Sequence, residues 1–155
     1  MGRIFYLDAV NGNDKNNGIT PDEALKSLEA ANRIVFGEGD KLLLKCGCVW
    51  KGMLCLHGDG DRFNFAQVGV YGDGEAPLIY GDGAYAAILL DGVSYWKVKG
   101  LRICNHSSER CVRQGICISA KSEGITAGIE ISDCEIFEVV GENRRAMPAY
   151  QSMYW

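Results

Sequence analysis

The chain has no apolar run that approaches the roughly 18 residues a helix needs to cross a bilayer, which excludes a helical membrane span. It has little excess charge: 16 Lys and Arg against 20 Asp and Glu, a net of −4, spread along the sequence. No basic patch marks nucleic acid or anionic lipid as a partner. The opening MGRIFYLDAV lacks the apolar core and small-residue cleavage site of a secretory signal, so it reads as a strand. Seven cysteines, an odd number, are scattered without a disulfide framework. A reduced compartment fits that scatter, and so does an extracellular setting without oxygen.

Prolines number only three, against twenty glycines and many Val, Ile, Tyr and Trp. That balance favours short strands joined by tight turns. At 155 residues and 47% apolar content the chain is long enough for one domain with a sizeable core.

Only one segment carries helical marks. Thr20-Pro21-Asp22-Glu23 offers an N-cap, a proline at the first helical position and a glutamate three residues after the cap. Leu25, Leu28, Ala31 and Val35 follow near one face, which predicts an amphipathic helix from Pro21 to about Ile34. Before it lie a strand, IFYLDAV, and a loop, NGNDKNNG. After Asp40 the chain reads as strands of four to six residues: KLLLK, MLCLH, AQVGVY, PLIY, AAILL, YWKVK, LRICN, GICIS, GIEIS and CEIFEV.

Self-comparison finds a repeat. WKVKGLRICN laid over IEISDCEIFE puts Trp96 on Ile129, Val98 on Ile131, Leu101 on Cys134 and Ile103 on Ile136. Upstream, Ile88 and Leu90 fall on Ile116 and Ile118. Repeats of roughly 20 to 35 residues that each carry short strands are the mark of a solenoid. Gly-Asp-Gly at 58–60, 72–74 and 81–83 then reads as its corners, where glycine reaches the required φ and aspartate folds back on nearby amides. No cofactor is expected: calcium is the one ion such a corner suggests, and a lone triplet supplies too few of the six or so oxygens it needs.

The stretch FYLDAVNGNDKNNGITPDEALKSLEAANRIVFGEGDKLLLKCGCVWKG resembles the N-terminal lead-in of right-handed parallel β-helix proteins of the pectate-lyase-like superfamily, and AGIEISDCEIFEVVG is similar to their coil repeat. The resemblance implies an all-β, right-handed parallel β-helix (solenoid) with an N-terminal capping α-helix. It also implies a polysaccharide or oligosaccharide partner and an extracellular or cell-surface location, with a cytoplasmic one left open by the cysteines. The superfamily's local catalytic signatures are missing, so it assigns no catalytic residue. A single β-helix domain is expected over 1–155: strand, loop and capping helix over 1–40, about four coils over 41–140, and a tail or further coil over 141–155. The tail RRAMPAYQSMYW does not resemble a polar cap, so a fragment of a longer β-helix, or self-association through an open C-terminal coil, is expected.

Glu130, Asp133, Glu135 and Glu138 cluster on the last repeat, and glycosidases use two carboxyls. The register also sets Lys97 beside Glu130 and Arg102 beside Glu135, the pattern of a charged surface ladder. His106, Arg110, Arg113 and Lys121 belong to loops, where a base and cations for sugar chemistry, or simply a solvated surface, would sit. Cys46, Cys48, Cys55 and His57 form a thiolate-rich set that suits zinc, or they are filler. Trp96 points inward by register, which leaves Trp50 and Tyr95 as the aromatic candidates for a sugar platform. The leading expectation is part of a polysaccharide-degrading glycoside hydrolase. A lyase is second, because an acidic surface repels a polyanionic substrate. The alternative is a non-catalytic glycan-binding or structural β-helix.

Overall fold

The computed structural model describes residues 1–142; the tail expected beyond Glu142 lies outside the described residues. After β1 (Ile4–Leu7) the chain winds through β2 (Lys41–Lys45), β3 (Val49–Lys51) and β4 (Leu54–Leu56). A second turn follows with β5 (Ala66–Tyr71), β6 (Leu78–Tyr80) and β7 (Ala86–Asp91), then a third with β8 (Trp96–Lys99), β9 (Arg102–Asn105) and β10 (Gln114–Ser119). β11 (Ile129–Ser132) and β12 (Glu135–Val139) begin another. The strands stack into three sheets: β1-β2-β5-β8-β11, β3-β6-β9-β12 and β4-β7-β10. Every strand pair is parallel, so the fold is a parallel β-solenoid of about three turns.

Parallel stacking puts like on like, because neighbouring rungs lie about 4.8 Å apart and side chains alternate in and out. Trp50, Ile79, Ile103 and Ile136 form one inward row, and Val68, Val98 and Ile131 another. Leu54, Ile88 and Ile116 make a third. The offsets read from the repeat hold: Trp96 pairs with Ile129 and Ile88 with Ile116. Rows are sealed in the middle turns and open at the last, where Ile103 is 0% exposed and its partner Ile136 is 51% exposed.

The Gly-Asp-Gly triplets sit at corners. Gly58 has φ 90°, and a Cβ there would lie 2.0 Å from the Phe36 carbonyl oxygen. Asp59 accepts the Ser94 amide at 2.7 Å, bracing its corner to the next turn.

The expected helix over Pro21 to about Ile34 is not one element. A 3₁₀ turn at Pro21–Glu23 and a single α-turn, α1 (Leu28–Ala31), flank an extended Ala24. Thr20 does cap, accepting the Glu23 amide, but Glu23 turns its carboxylate to Asn17 instead of back to the cap. Competing partners break the helix. Leu25 bridges to β1, donating to Tyr6 and accepting from Asp8, and the Asp14 carboxylate takes the amides of Lys26 and Ser27. Leu25, Leu28 and Ala31 are still buried in the core, while Val35 of the expected apolar face is exposed. Among the described residues no helix is long and apolar enough to cross a membrane.

Candidate functional site

β3, β6, β9 and β12 turn alternate residues outward; register pairs Lys51 with Tyr80, and His106, just past β9, and Glu138, at the irregularity in β12, join them in one column. Lys51 pairs with Tyr80 across β3 and β6, with Lys51 Nζ 5.8 Å from the Tyr80 ring centroid. Tyr80 stacks on His106, which follows β9, at 4.6 Å between centroids and 29° between planes. The His106 Nε2 lies 3.7 Å from a Glu138 carboxylate oxygen on β12. A cation, a phenol, an imidazole and a carboxylate thus follow one another along the solenoid axis.

The Tyr80 hydroxyl donates to the His106 carbonyl at 3.1 Å. Desolvation, then the neighbouring Asp82 carboxylate, raises its pKa, so the phenol keeps its proton throughout the neutral range. Beside the column, Arg102 bridges Glu75 at 2.5 Å and Glu135 at 3.2 Å, with its guanidinium 5.3 Å from the Phe137 ring centroid. The whole face offers donors, acceptors and ring edges in a row.

The carboxylates singled out on the last repeat do not form a pair. Glu130 belongs to the β11 sheet and Glu135 to the β12 sheet, with Asp133 at the corner between them at φ 52°. Glu130 pairs with Lys97 at 3.2 Å and Asp133 with Lys99 at 3.4 Å, so with Arg102 and Glu135 the charged ladder anticipated from register is present.

Trp50 is not a platform. It is 5% exposed and donates its indole N–H to the Lys26 carbonyl at 2.8 Å, because β3 turns its middle residue into the core. Tyr95 is half-buried; its ring packs edge-on to Phe65 at 5.7 Å and closes over Gly128 of the next turn. Trp96 is fully buried, as its register requires.

Arg113 is buried rather than poised in solvent, at 7% exposure, with Nη1 on the Val140 carbonyl and Nη2 on the Glu109 carbonyl. Arg110 is exposed on the same loop and lines a recess with Arg113. Lys121 is held by Asp59 at 2.7 Å on another side of the molecule.

Cys46, Cys48, Cys55 and His57 do not converge. Gly47 turns the chain between β2 and β3 with φ 79°, so Cys46 and Cys48 do not share a strand face. Cys48 is buried with its thiol 3.7 Å from Asp8, while Cys55 sits on β4. Among the described residues no three His, Cys, Asp or Glu side chains are grouped to hold a metal. All seven cysteines are free, and burial raises the pKa of Cys55 and Cys104, the opposite of an activated thiol.

Sequence reasoning missed Lys51 and Tyr80, since each lies on a different turn with nothing local to mark it. Aligning Trp50 on Ile79 brings them together, and that signal was present in the sequence.

No family model matches the chain. Its fold matches crystal structures of a GH136 lacto-N-biosidase from Eubacterium ramulus. The selenomethionine form gives a TM-score of 0.82 and 28% identity, covering 89% of this chain and 27% of that one. The native form gives 0.66 and 30%, covering 69% and 21%. A stretch of 59 residues is 36% identical to Alpha-1,3-galactosidase A of Akkermansia muciniphila, covering 38% of this chain and 10% of that protein. Its relatives are glycoside hydrolases by name. The chain spans about a quarter of the solved neighbour and a tenth of the galactosidase.

Proposed function

We propose that the chain is a section of a glycoside hydrolase whose solenoid holds a neutral oligosaccharide along the outer face of the β3-β6-β9-β12 sheet. The observation that carries this is the match to the lacto-N-biosidase fold over 89% of the chain at 28% identity. The column supplies the contacts: Lys51 donates, Glu138 accepts, and the Tyr80 and His106 rings give sugar C–H faces an apolar edge. The names of the two relatives point to galactose-containing glycans as substrates. On this reading the protein works outside the cell, and binding on this face calls on no cofactor.

A second reading, a glycan-binding β-helix without turnover, is favoured by one observation. Glu130, Asp133 and Glu135 are each within 3.4 Å of a cation, which suits a charged surface better than general acid catalysis. Incubation of the protein with lacto-type and α-galactosyl oligosaccharides, and with uronate polysaccharides, separates the two. New reducing ends from the neutral sugars support the hydrolase, and saturable binding without release supports the second reading. Neither binding nor release would overturn both, and unsaturated products from uronates would reinstate the lyase.

A further inference from the structure

The first two turns leave the outer column through a glycine: Gly52 follows Lys51, and Gly81 follows Tyr80. On the third turn register puts Asn105 in that place, one residue past the Tyr80–Cys104 pair. The corner itself therefore asks for no side chain, yet Asn105 is there and is fully buried. We propose that Asn105 is the positioning residue of the Lys51–Glu138 column, holding His106 on Tyr80 and Glu138 beside His106. The inference rests on the glycan-binding reading and adds to it the residue that sets the geometry of the site.

The Asn105 carboxamide is spent on backbone. Its Nδ2 donates to the Ala84 carbonyl at 2.7 Å and to the Gln114 carbonyl at 2.9 Å, and its Oδ1 accepts the Gly83 amide at 3.1 Å. Both side-chain donor hydrogens are thereby used. A buried amide satisfied in this way has one orientation, and the backbone that carries it is held with it.

Its partners adjoin the column. Gly83 and Ala84 follow Tyr80 on the second turn, and Gln114 opens β10, closing the loop that starts at His106. The Asn105 carbonyl accepts the Val140 amide at 3.0 Å, two residues beyond Glu138. One residue thus ties together the chain just after Tyr80, just before His106 and just after Glu138. Contacts fixed before a sugar arrives lower the ordering cost of binding.

Gly81 offers an independent handle on the same amide. A Cβ there would lie 2.4 Å from the Asn105 Cγ, so Gly81→Ala displaces the carboxamide while leaving every residue of the column in place.

Two measurements on Asn105→Ser and Gly81→Ala test the proposal. The imidazole proton shifts of His106, one of two histidines in the chain, report the stack through the Tyr80 ring current, and calorimetry with a galactose-terminated oligosaccharide reports affinity. Val68→Ala, a fully buried truncation on β5 away from the column, controls for lost stability alone. Both test variants should move the His106 signals toward those of an unstacked ring and weaken the sugar about tenfold, and the control should do neither. Thermal unfolding checks folding, and Gly81→Ala carries the test if Asn105→Ser does not fold. Wild-type His106 shifts in a folded test variant, whatever its affinity, overturn the positioning role, as does a control that moves them equally. Displaced His106 signals with unchanged affinity, or a wild type that binds no sugar, overturn the glycan-binding reading instead and leave the hold of Asn105 on His106 standing.

Discussion

The His106 imidazole lies on the Tyr80 ring, 4.6 Å between centroids, with Glu138 beyond it at 3.7 Å from Nε2. The two aromatic residues come from successive turns: register pairs Tyr80 with Cys104, and His106, just past the end of β9, stacks on the Tyr80 ring. His106→Ala removes the middle of the column and should weaken binding of a neutral galactose-terminated oligosaccharide about tenfold, or about 1.4 kcal/mol. Calorimetry checks it; unchanged affinity in a folded variant would count against the column.

Acid should unfold the protein from its N-terminal end. Burial raises the Asp8 pKa, but the Lys45 ammonium at 2.7 Å and the amides of Asn11 and Val10 outweigh it and hold the carboxyl well below the ordinary range. Asp40 is likewise lowered, burial being outweighed by Arg3 and by the Gly37 amide. Depressed folded-state values stabilise above the unfolded pKa of about 3.9 and lose that contribution as pH falls through the folded value. Urea midpoints should therefore be level from neutral pH to about 5 and drop below it. Asp8→Asn should lower the neutral plateau and flatten the drop; parallel profiles for the two proteins would contradict this.

Tyr71 should be improved by losing its hydroxyl. The oxygen is buried with no hydrogen-bond partner, and burial, then Asp8, pushes its pKa up to about 12. Tyr71→Phe removes an unpaired polar group while keeping the ring that packs edge-on to Tyr6 at 5.1 Å. Unfolding free energy should rise by up to about 1 kcal/mol, and ultraviolet titration should lose a tyrosine that ionises near pH 12. A lower Tm would show that the hydroxyl has a role.

Ile103 and Ile136 occupy the same inward register on β9 and β12 but differ in cover, 0% against 51% exposed. Ile103→Ala should cost about 2–5 kcal/mol, as buried aliphatic truncations do. Ile136→Ala should cost roughly 1 kcal/mol or less. Chemical denaturation of both variants measures the difference, and equal costs would mean that the last turn is sealed as well as the third.

The inward rows were legible in the sequence because a parallel solenoid repeats its own pattern: Trp96 over Ile129 and Ile103 over Ile136 follow from self-comparison alone. The Gly-Asp-Gly corners were legible for a similar reason, since Gly58 adopts a φ that few residues reach. The N-terminal helix misleads because Leu25, Leu28 and Ala31 are buried as their spacing implies, while Val35 is exposed and the hydrogen bonds go elsewhere, Leu25 to β1 and the Ser27 amide to Asp14. β3 is only three residues long and shows no strand pattern of its own, so the sequence alone leaves Trp50 outside although it lies within. A column assembled across turns leaves no mark within any one strand, which is why His106, in a loop, is legible as a candidate and its partners Tyr80 and Lys51 are not.

Chemical-shift mapping of the ¹⁵N-labelled chain with a galactose-terminated oligosaccharide tests most directly whether the β3-β6-β9-β12 face holds a glycan. The expected result is saturable shifts at Lys51, Tyr80, His106 and Glu138, with the outward residues of β2 and β5 unmoved. Shifts centred on the β2-β5 face, or none at saturating sugar, would contradict it.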